Sequence, residues 1–484
     1  MDIVKNDVTT YPAYFAGNWQ ASESNKTIAI QSPWRHETIG RVQAVTQSEV
    51  DQVIEAARKA QKPWAKLSLS ERGAYLNKWA DELDNQKDDL ATAVMDEVGK
   101  NYKAAKGEVV RTINLIRYTV QEALHMHGES VRGDGFPGGS KEKLGIIERV
   151  PLGVVLAISP FNYPVNLSAS KIAPALMAGN AVIFKPATQG SISGIKMIQA
   201  LDKAGLPKGL LSLVTGHGSE IGDYLTEHSG INMISFTGST RTGKRLSQKS
   251  IMIPLVLELG GKDPAIVCSD ADLDVTVKNI IGGAFSYSGQ RCTAVKRVLV
   301  DDKIADQLVA KLKTAVENLS VGSPADNSTI VPLIDNKAAD FVSNLIDDAL
   351  DKGATLVTGN HRDGNLLTPT LLDNVTQDMD VAWTEPFGPV LPIIRVHSLD
   401  EAIKIANKSN FGLQASVFTQ DIDKALEAAG AIEVGTVQVN GRPSRGPDNF
   451  PFLGVKASGM GTQGVHNSIL SMSREKLTVV NLRP

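Results

Sequence analysis

Cysteine is scarce in this sequence, since only 2 of the 484 residues are Cys. Two cysteines cannot form a disulfide framework, so we expect a reducing, cytoplasmic setting. Long apolar runs are also missing, and stretches such as GVVLAI are far too short to cross a bilayer. The first residues carry an early acid and lack the apolar core of a signal peptide, so neither a membrane protein nor a secreted protein is expected.

The sequence also has little excess charge and no pattern of metal ligands. The formal net charge is −3, so a broad basic surface for nucleic acid is not expected. Among 8 histidines the closest pair, His125 and His127, would point apart on a helix. We therefore expect no nucleic-acid partner and no metal site.

The hydrophobic pattern predicts an α/β protein. Residues 46–67 read as a helix that opens with a T-x-x-E capping box at Thr46 and Glu49, and a second long helical pattern covers residues 70–98. From Leu152 onward, short apolar runs alternate with helical stretches. Strands that are apolar on both faces and alternate with helices are typical of a parallel sheet covered by helices.

Two stretches resemble appendages to this α/β body. The first, GESVRGDGFPGGSKEKLGIIERV, is glycine-rich and then strand-like, and the second, EKLTVVNL, reads as a C-terminal strand without a local partner. Exposed strand edges tend to pair with another chain, so we expect both stretches to serve subunit assembly.

The two cysteines lie in different surroundings. Cys268, in the apolar segment PAIVCSD, fits a small buried core residue. Cys292, in SYSGQRCTA, lies among glycine and polar residues beside Arg291, whose charge would favour the thiolate. Taken alone, Cys292 is about equally compatible with a core residue and with a nucleophile.

Three other side chains favour the nucleophile. Asn162 follows an apolar strand in AISPFNYPVN, where a side-chain amide can donate to a developing oxyanion. Glu258 ends an apolar strand in LVLELGGK, which suits a general base, although a strand-end acid held by backbone N–H groups is the alternative. Glu385 lies in TEPFGPV, a loop held by two prolines.

Taken together, these segments resemble the aldehyde dehydrogenase superfamily. The matching motifs are, in order, PFNYP, IFKP, FTGS, LELGGK, GQRC and EPFGP, and the similarity extends from about Tyr14 to the end. PFLGVKASGMG is similar to the family's C-terminal signature, with Leu453 where many members have glycine.

The resemblance implies a Rossmann-type parallel-sheet cofactor domain, an α/β catalytic domain and a small β oligomerisation extension. The expected boundaries are residues 1–125 and 150–258 for the dinucleotide-binding domain, 259–463 for the catalytic domain, and 126–149 and 464–484 for the oligomerisation segments. It also implies a homo-oligomer, a tetramer built as a dimer of dimers.

The resemblance assigns roles to the catalytic and cofactor residues. Cys292 would attack an aldehyde carbonyl, Asn162 and the Cys292 N–H would hold the oxyanion, and Glu258 would activate the water that hydrolyses the thioester. The cofactor would be NADP, because Thr188 stands where many NAD-using relatives carry a glutamate. The implied cofactor-binding residues are Lys185, Thr188, Gly218, Asp223, Gly238, Ser239, Leu259 and Glu385.

Several segments are most similar to family members that oxidise a phosphorylated aldehyde, glyceraldehyde 3-phosphate. The implied substrate-binding residues are Arg111, Tyr163, Arg291, Thr293 and Arg445. Arginine suits this role because its planar fork fits phosphate oxygens. The alternative for each arginine is a surface or structural ion pair.

Three other functions are alternatives to this one. A second hydrolytic aldehyde dehydrogenase, acting on a carboxylated semialdehyde such as succinate semialdehyde, would also use arginines. A CoA-acylating dehydrogenase can share GQRC, but Glu258 argues against it. A catalytically silent structural protein on the same fold would not need Cys292, Asn162 and Glu258 together.

Overall fold

The computed structural model describes residues 3–5, 8–250 and 252–483; residues 1–2 and 484, at the ends of the expected first and last segments, lie outside them. In the described chain, two large α/β halves and a small β extension are formed, so the α/β prediction is confirmed. No helix of the described residues combines the length and apolar character that a membrane span requires.

The first half is built on a sheet whose central strands are parallel and buried. Its strands in the described residues, in spatial order, are Gly459–Met460, Leu255–Glu258, Met233–Thr237, Val154–Ile158, Ala181–Lys185, Leu211–Leu213, Ala13–Phe15 and Asn18–Gln20. The five strands from Leu255–Glu258 to Leu211–Leu213 pair in parallel. Burial on both faces explains why these segments read as continuous apolar runs.

Helices cover this sheet, and their termini follow local sequence signals. They are Gln47–Trp64, Leu69–Asn85, Lys87–Val98, Tyr102–Leu124, Asn166–Met177, Ser191–Lys203, Asp223–Glu227 and Thr240–Lys249. The capping box at Thr46 and Glu49 is confirmed. The pattern over residues 70–98, expected as one helix, is two helices that meet at Gln86, a residue with φ −116° and ψ 22°.

The second half contains another mainly parallel sheet with apolar cores on both faces. Its strands in the described residues, in spatial order, are Thr355–Thr358, Thr370–Asp373, Val390–Val396, Arg297–Asp301, Pro264–Val267, Gln414–Phe418 and Thr436–Val439. Its helices are Leu273–Phe285, Asp302–Glu317, Asn336–Asp351, Leu399–Asn407 and Ile422–Ala431.

Smaller sheets complete the described chain. An N-terminal sheet has the order Ile3–Lys5, Val8–Tyr11, Thr38–Gln43 and Thr27–Gln31. Short antiparallel pairs join Arg362–Asp363 to Leu366–Leu367, Phe411–Gly412 to Val455–Lys456, and Phe452–Leu453 to Thr462–Gln463.

The two stretches expected to be appendages form one antiparallel sheet. Strand Lys143–Pro151 lies between Glu129–Arg132 and Ser473–Asn481. The C-terminal strand has no partner close to it in sequence, in agreement with the expectation, and it pairs with the distant strand Lys143–Pro151.

Segments on both sides of the expected division at residue 464 contact the first half, and the division itself stays a prediction. Helix Val465–Ser471, placed with the oligomerisation segments, contributes Val465 and Ile469 to the core of the first half, because these apolar residues pack on its helices. Strand Gly459–Met460, placed in the catalytic domain, pairs with Leu255–Glu258 of the first sheet.

Candidate active site

A cavity of about 970 Å³ is walled by both halves, at the carboxyl ends of the parallel strands of the first sheet. Ligands of open α/β sheets bind at this edge. The wall includes many of the residues predicted from sequence: Asn162, Lys185, Gly218, Asp223, Gly238, Ser239, Leu259, Cys292 and Glu385.

Cys292 follows a strained turn that distant contacts hold in place. Tyr287 and Ser288 have φ angles of 52° and 53°, which for residues other than glycine cost on the order of 1–3 kcal/mol each. Ser288 Oγ donates to Val331 O at 2.7 Å and accepts from Val331 N at 2.8 Å, and the Tyr287 hydroxyl donates to Val98 O at 2.6 Å. These bonds fix the loop that presents the cysteine.

The thiol of Cys292 lies beside the carboxylate of Glu258. Its Sγ lies 3.9 Å from Glu258 Oε1. Burial, and next the charge of Glu258, raise the pKa of this thiol to about 12. The expectation that Arg291 would favour the thiolate is not met, because the Arg291 guanidinium turns away and donates to the carbonyl oxygens of Gly282 and Gly283.

Asn162 is brought to the cysteine loop, as expected for an oxyanion donor. It is buried, and its Nδ2 donates to Gln290 O at 2.9 Å, two residues before Cys292. A side-chain amide carries a second N–H, which is left for a ligand in the cavity. The geometry is compatible with the oxyanion role, which stays a prediction.

Glu258 ends its strand and is the first member of a buried chain of polar groups. Its Oε2 accepts from Thr237 Oγ1 at 3.1 Å, and Thr237 Oγ1 accepts from Lys171 Nζ at 2.6 Å. Burial lowers the pKa of Lys171 to about 7, although the charge of Glu258 opposes this shift. The carboxylate is thus connected to an amine that can hold or release a proton near neutral pH.

Arg445 also approaches Glu258. Its Nε lies 3.5 Å from Glu258 Oε1, and its Nη2 donates to Gln463 Oε1 at 2.7 Å. Nε and Nη1 are buried and have no hydrogen-bond partner among the described residues. Both donors face carboxylates without a hydrogen bond, Nε at 3.5 Å from Glu258 and Nη1 at 3.8 Å from Asp448, so the guanidinium keeps donors that an anion could use.

Cys268 is a core residue, as predicted. It is 8 % exposed and packs in one of the apolar cores of the second half. Burial raises the pKa of its thiol to about 11. The charge of Lys424 and the hydroxyl of Thr419 oppose this rise in pKa but do not offset the burial.

The residues expected to bind cofactor phosphates surround one end of the cavity. Lys185 is 6 % exposed, burial lowers its pKa to about 8, and its Nζ donates to Pro186 O at 3.3 Å. Ser239 caps helix Thr240–Lys249 and accepts from Thr242 N at 3.3 Å, so the N-terminus of this helix faces the cavity. Thr188 is not part of the wall, where its neighbour Ala187 appears instead.

The two predicted carboxylates of the cofactor site already have cationic partners. Asp223 accepts from Arg245 and, at 2.9 Å, from Lys249 of the same helix. Glu385 Oε1 lies 2.8 Å from Lys296 Nζ. A ribose hydroxyl that bound Glu385 would therefore lie close to Lys296 as well. Asp223 joins its own helix, Asp223–Glu227, to helix Thr240–Lys249.

Of the predicted phosphate residues, Arg111 is the one that is fully paired. Its Nε and Nη2 donate to the two carboxylate oxygens of Asp448, each at 2.8 Å, and Nη2 also donates to Arg445 O. This is the structural ion pair that sequence alone left open. Tyr163 lies with its ring 3.6 Å from Lys100 Nζ, and Thr293 is buried next to Cys292.

Sequence reasoning missed several residues of the site. Lys171 had a signal, since it is the one charged residue in helix Asn166–Met177, whose residues are all buried. Lys296, Asp448 and Arg442 had none, because only the fold brings them to Glu385, Arg111 and Arg291. No group of three or more His, Cys, Asp or Glu among the described residues has a geometry that could hold a metal ion.

Comparison with known proteins identifies the family of this chain. The aldehyde dehydrogenase family profile matches residues 19–478, so the chain belongs to the aldehyde dehydrogenase family. It is 53% identical to the NADP-dependent glyceraldehyde-3-phosphate dehydrogenase of Streptococcus equinus, over 98% of this chain and 99% of that protein. The corresponding enzyme of Pisum sativum is 51% identical over 99% of this chain and 97% of that protein.

A solved structure gives the same relationship. The NADP-dependent glyceraldehyde-3-phosphate dehydrogenase of Bacillus halodurans C-125, complexed with NADP, has a TM-score of 0.97 and 57% identity. The similarity covers 98% of this chain and 100% of that chain.

Proposed function

We propose that this chain oxidises glyceraldehyde 3-phosphate to 3-phosphoglycerate with NADP, using water and not inorganic phosphate to release the acid. The observation that carries the proposal is a thiol and a carboxylate 3.9 Å apart, Cys292 and Glu258, with the unused donors of Arg445 beside them. The relatives are named NADP-dependent glyceraldehyde-3-phosphate dehydrogenase, and they match the chain over nearly its full length.

Cys292 is the nucleophile. The thiol first loses its proton to solvent, and the thiolate then adds to the aldehyde carbon to give a thiohemiacetal. Asn162 Nδ2 and the Cys292 N–H donate to the oxyanion that forms. NADP bound in the cavity would supply the hydride acceptor for this carbon, and loss of the hydride would leave a thioester on Cys292.

Glu258 hydrolyses the thioester by taking a proton from water. The water attacks the acyl carbon, the C–S bond breaks, and 3-phosphoglycerate leaves. Hydrogen bonds connect Glu258 through Thr237 to Lys171, whose amine can also hold the proton close to neutral pH. No inorganic phosphate enters this sequence of steps.

The cavity suits a dinucleotide that carries an extra phosphate. Its volume is about 970 Å³, and its wall contains Lys185, Arg241 and the N-terminus of helix Thr240–Lys249, whose first turn has no acidic residue. Cations and a helix N-terminus together favour phosphate groups. We assign Lys185 to the 2′-phosphate. Thr188 stands where many NAD-using relatives have a glutamate, so no carboxylate at that position repels the phosphate.

Subunit assembly follows from the small β sheet. Strand Ser473–Asn481 forms an edge of that sheet within the described residues, and Leu477, Val479 and Val480 are exposed on it. Exposed apolar strand edges tend to pair with another chain. We infer a homo-tetramer, a dimer of dimers, in the reducing setting that two free cysteines suit.

A substrate and cofactor panel tests the proposal. Purified enzyme should reduce NADP fastest with glyceraldehyde 3-phosphate, more slowly with unphosphorylated glyceraldehyde, and at a rate that added inorganic phosphate does not raise. Succinate semialdehyde is the matched anionic aldehyde. A higher kcat/KM with succinate semialdehyde would refute the assignment and put the carboxylated-substrate alternative in its place.

A further inference from the structure

An arginine that was not predicted from the sequence, Arg442, lies near Arg291 and Tyr163. Arg111 and Arg445 have carboxylates within 4 Å, since Asp448 lies 2.8 Å from Arg111 and 3.8 Å from Arg445. Arg291 forms no ion pair within the described chain, because its guanidinium binds backbone carbonyls. A further cation, Arg442, is also without an ion pair or hydrogen bond in this part of the structure.

Arg442 packs on the same two glycines that bind Arg291. A Cβ on Gly283 would lie 3.3 Å from Arg442 Cβ, and a Cβ on Gly282 would clash with Arg442 Nη1. Arg291 Nη2 donates to the carbonyl oxygens of both glycines, at 3.5 Å for Gly282. Two guanidinium groups therefore converge on one glycine pair of helix Leu273–Phe285.

The backbone around Arg442 is fixed, so the arginine is not a loosely held surface side chain. Asn440 exchanges hydrogen bonds with Thr419 at 3.0 and 2.9 Å. Ser444 exchanges hydrogen bonds with Gln414 at 2.9 and 2.8 Å. These two anchors flank Arg442 on either side and hold its Cα against the glycines.

The electrostatics of this pair agree with the packing. Partial desolvation against the glycines, and next the charge of Arg291, lower the pKa of Arg442, while Tyr163 is near enough to oppose the shift. Like charges that are held together without a carboxylate are stabilised by a bound anion. The group that is missing from this cluster is therefore negatively charged.

We propose that Arg442, together with Arg291 and Tyr163, binds the phosphate of the substrate and sets the preference for a phosphorylated aldehyde. This inference rests on the proposed function and adds a residue to it. Arg442 is exposed and packs on the glycine pair that binds Arg291, whereas Arg445 lies beside Glu258.

Two variants test Arg442 by different routes. Arg442→Gln removes the charge, and Gly282→Ala keeps the charge but places a Cβ where Nη1 now lies. Neither is expected to unfold the chain, because Arg442 is exposed and alanine is a better helix residue than glycine. The exposed Arg58→Gln, on helix Gln47–Trp64, is the matched control.

The readout is the ratio of kcat/KM for glyceraldehyde 3-phosphate to kcat/KM for glyceraldehyde. Hydrogen bonds to charged groups support a loss of roughly tenfold in this ratio for Arg442→Gln, borne mainly by KM of the phosphorylated substrate. Gly282→Ala should lower the ratio in the same direction, and Arg58→Gln should not. KM should also depend less steeply on salt in Arg442→Gln.

The outcomes separate this inference from the proposed function. If wild type prefers the phosphorylated aldehyde and Arg442→Gln keeps the same ratio and salt dependence, the role of Arg442 is refuted while the proposed function stands. If wild type itself shows no preference for the phosphorylated aldehyde, the proposed function fails first. A Gly282→Ala protein with a lowered ratio and an Arg442→Gln protein with an unchanged one would assign the effect to the helix and overturn the inference.

Discussion

Replacing Glu258 with glutamine should have two opposite effects on Cys292. The Sγ–Oε1 distance is 3.9 Å, and the charge of Glu258 is the second cause, after burial, of the raised thiol pKa of about 12. Glu258→Gln removes the charge and keeps the shape. The thiol should then ionise more easily in the cofactor-free enzyme, while the thioester should hydrolyse more slowly.

The size of the first effect follows from Coulomb's law. Two unit charges about 4 Å apart interact by about 1 kcal/mol in water-like surroundings and by about 4 kcal/mol at an effective dielectric constant near 20. Even the lower value corresponds to a thiol pKa lower by about 0.7, which is roughly a fivefold larger thiolate fraction near pH 7.5. A less basic thiolate is also less nucleophilic, so alkylation should accelerate by at least about two- to threefold.

The second effect is on turnover. Loss of a general base costs about 10²–10⁴-fold in rate, and glutamine cannot take the proton of water. Acylation should still proceed, so mixing with substrate and NADP should give a burst of roughly one NADPH per active site followed by slow turnover.

Two assays on one variant measure both effects. Iodoacetamide alkylation is followed at pH 7.5 in a Cys268→Ser background, so that only Cys292 reacts, and stopped-flow absorbance follows NADPH. Glu55→Gln, an exposed acid on helix Gln47–Trp64, is the control. Slower alkylation in Glu258→Gln would show that Glu258 deprotonates the thiol itself, and an unchanged steady-state rate without a burst would remove Glu258 as the base for water.

Four further results are expected. Cys292→Ser should lose aldehyde oxidation and retain NADP binding in a fluorescence titration, whereas Cys268→Ser should keep its activity with a lower Tm because a hydroxyl is buried; NADPH production by Cys292→Ser would contradict this. Thr188→Glu should shift the kcat/KM ratio towards NAD, and an unchanged ratio would mean that Thr188, which is off the cavity wall, does not set the choice. Arg445→Ala should lower kcat/KM roughly tenfold more for the phosphorylated than for the unphosphorylated aldehyde, and equal losses would make Arg445 structural. The folded-state pKa of Lys171, about 7, is below its ordinary value, so Lys171 destabilises the folded protein at pH 7, and this destabilisation disappears as pH rises towards the unfolded pKa. The Tm of Lys171→Met minus the Tm of wild type should therefore fall between pH 7 and pH 9.5. A rise in this difference would refute the lowered pKa.

Local sequence was sufficient where the interaction is itself local. Thr46 and Glu49, which are three residues apart in sequence, cap a helix, and both hydrogen bonds of that capping box are present. The apolar runs predicted buried strands because a strand covered on both faces has no polar positions. Cys292, Asn162 and Glu258 could be selected because each stands at the end of, or just beyond, a recognisable element.

The partners of long charged side chains were decided by the tertiary structure. Arg291 is next to Cys292 in sequence, but its guanidinium binds the carbonyls of Gly282 and Gly283 and leaves the thiol beside Glu258. Arg111 is paired by Asp448, 337 residues further along the chain. In neither case does the sequence around the arginine indicate its partner.

The sequence by itself determined the class of fold, the buried strands and the choice of Cys292, Asn162 and Glu258 as candidate catalytic residues, since these depend on periodicity and on residue chemistry over a few positions. Only the tertiary structure decided which charges face which partners, that Lys171 reaches Glu258 through Thr237, and that Arg442 converges with Arg291 on one glycine pair. The physical reason is that hydrogen bonds and ion pairs act over a few ångströms in space. Their partners come from segments that only the folded chain brings together, whereas the pattern of apolar residues is written along the chain itself.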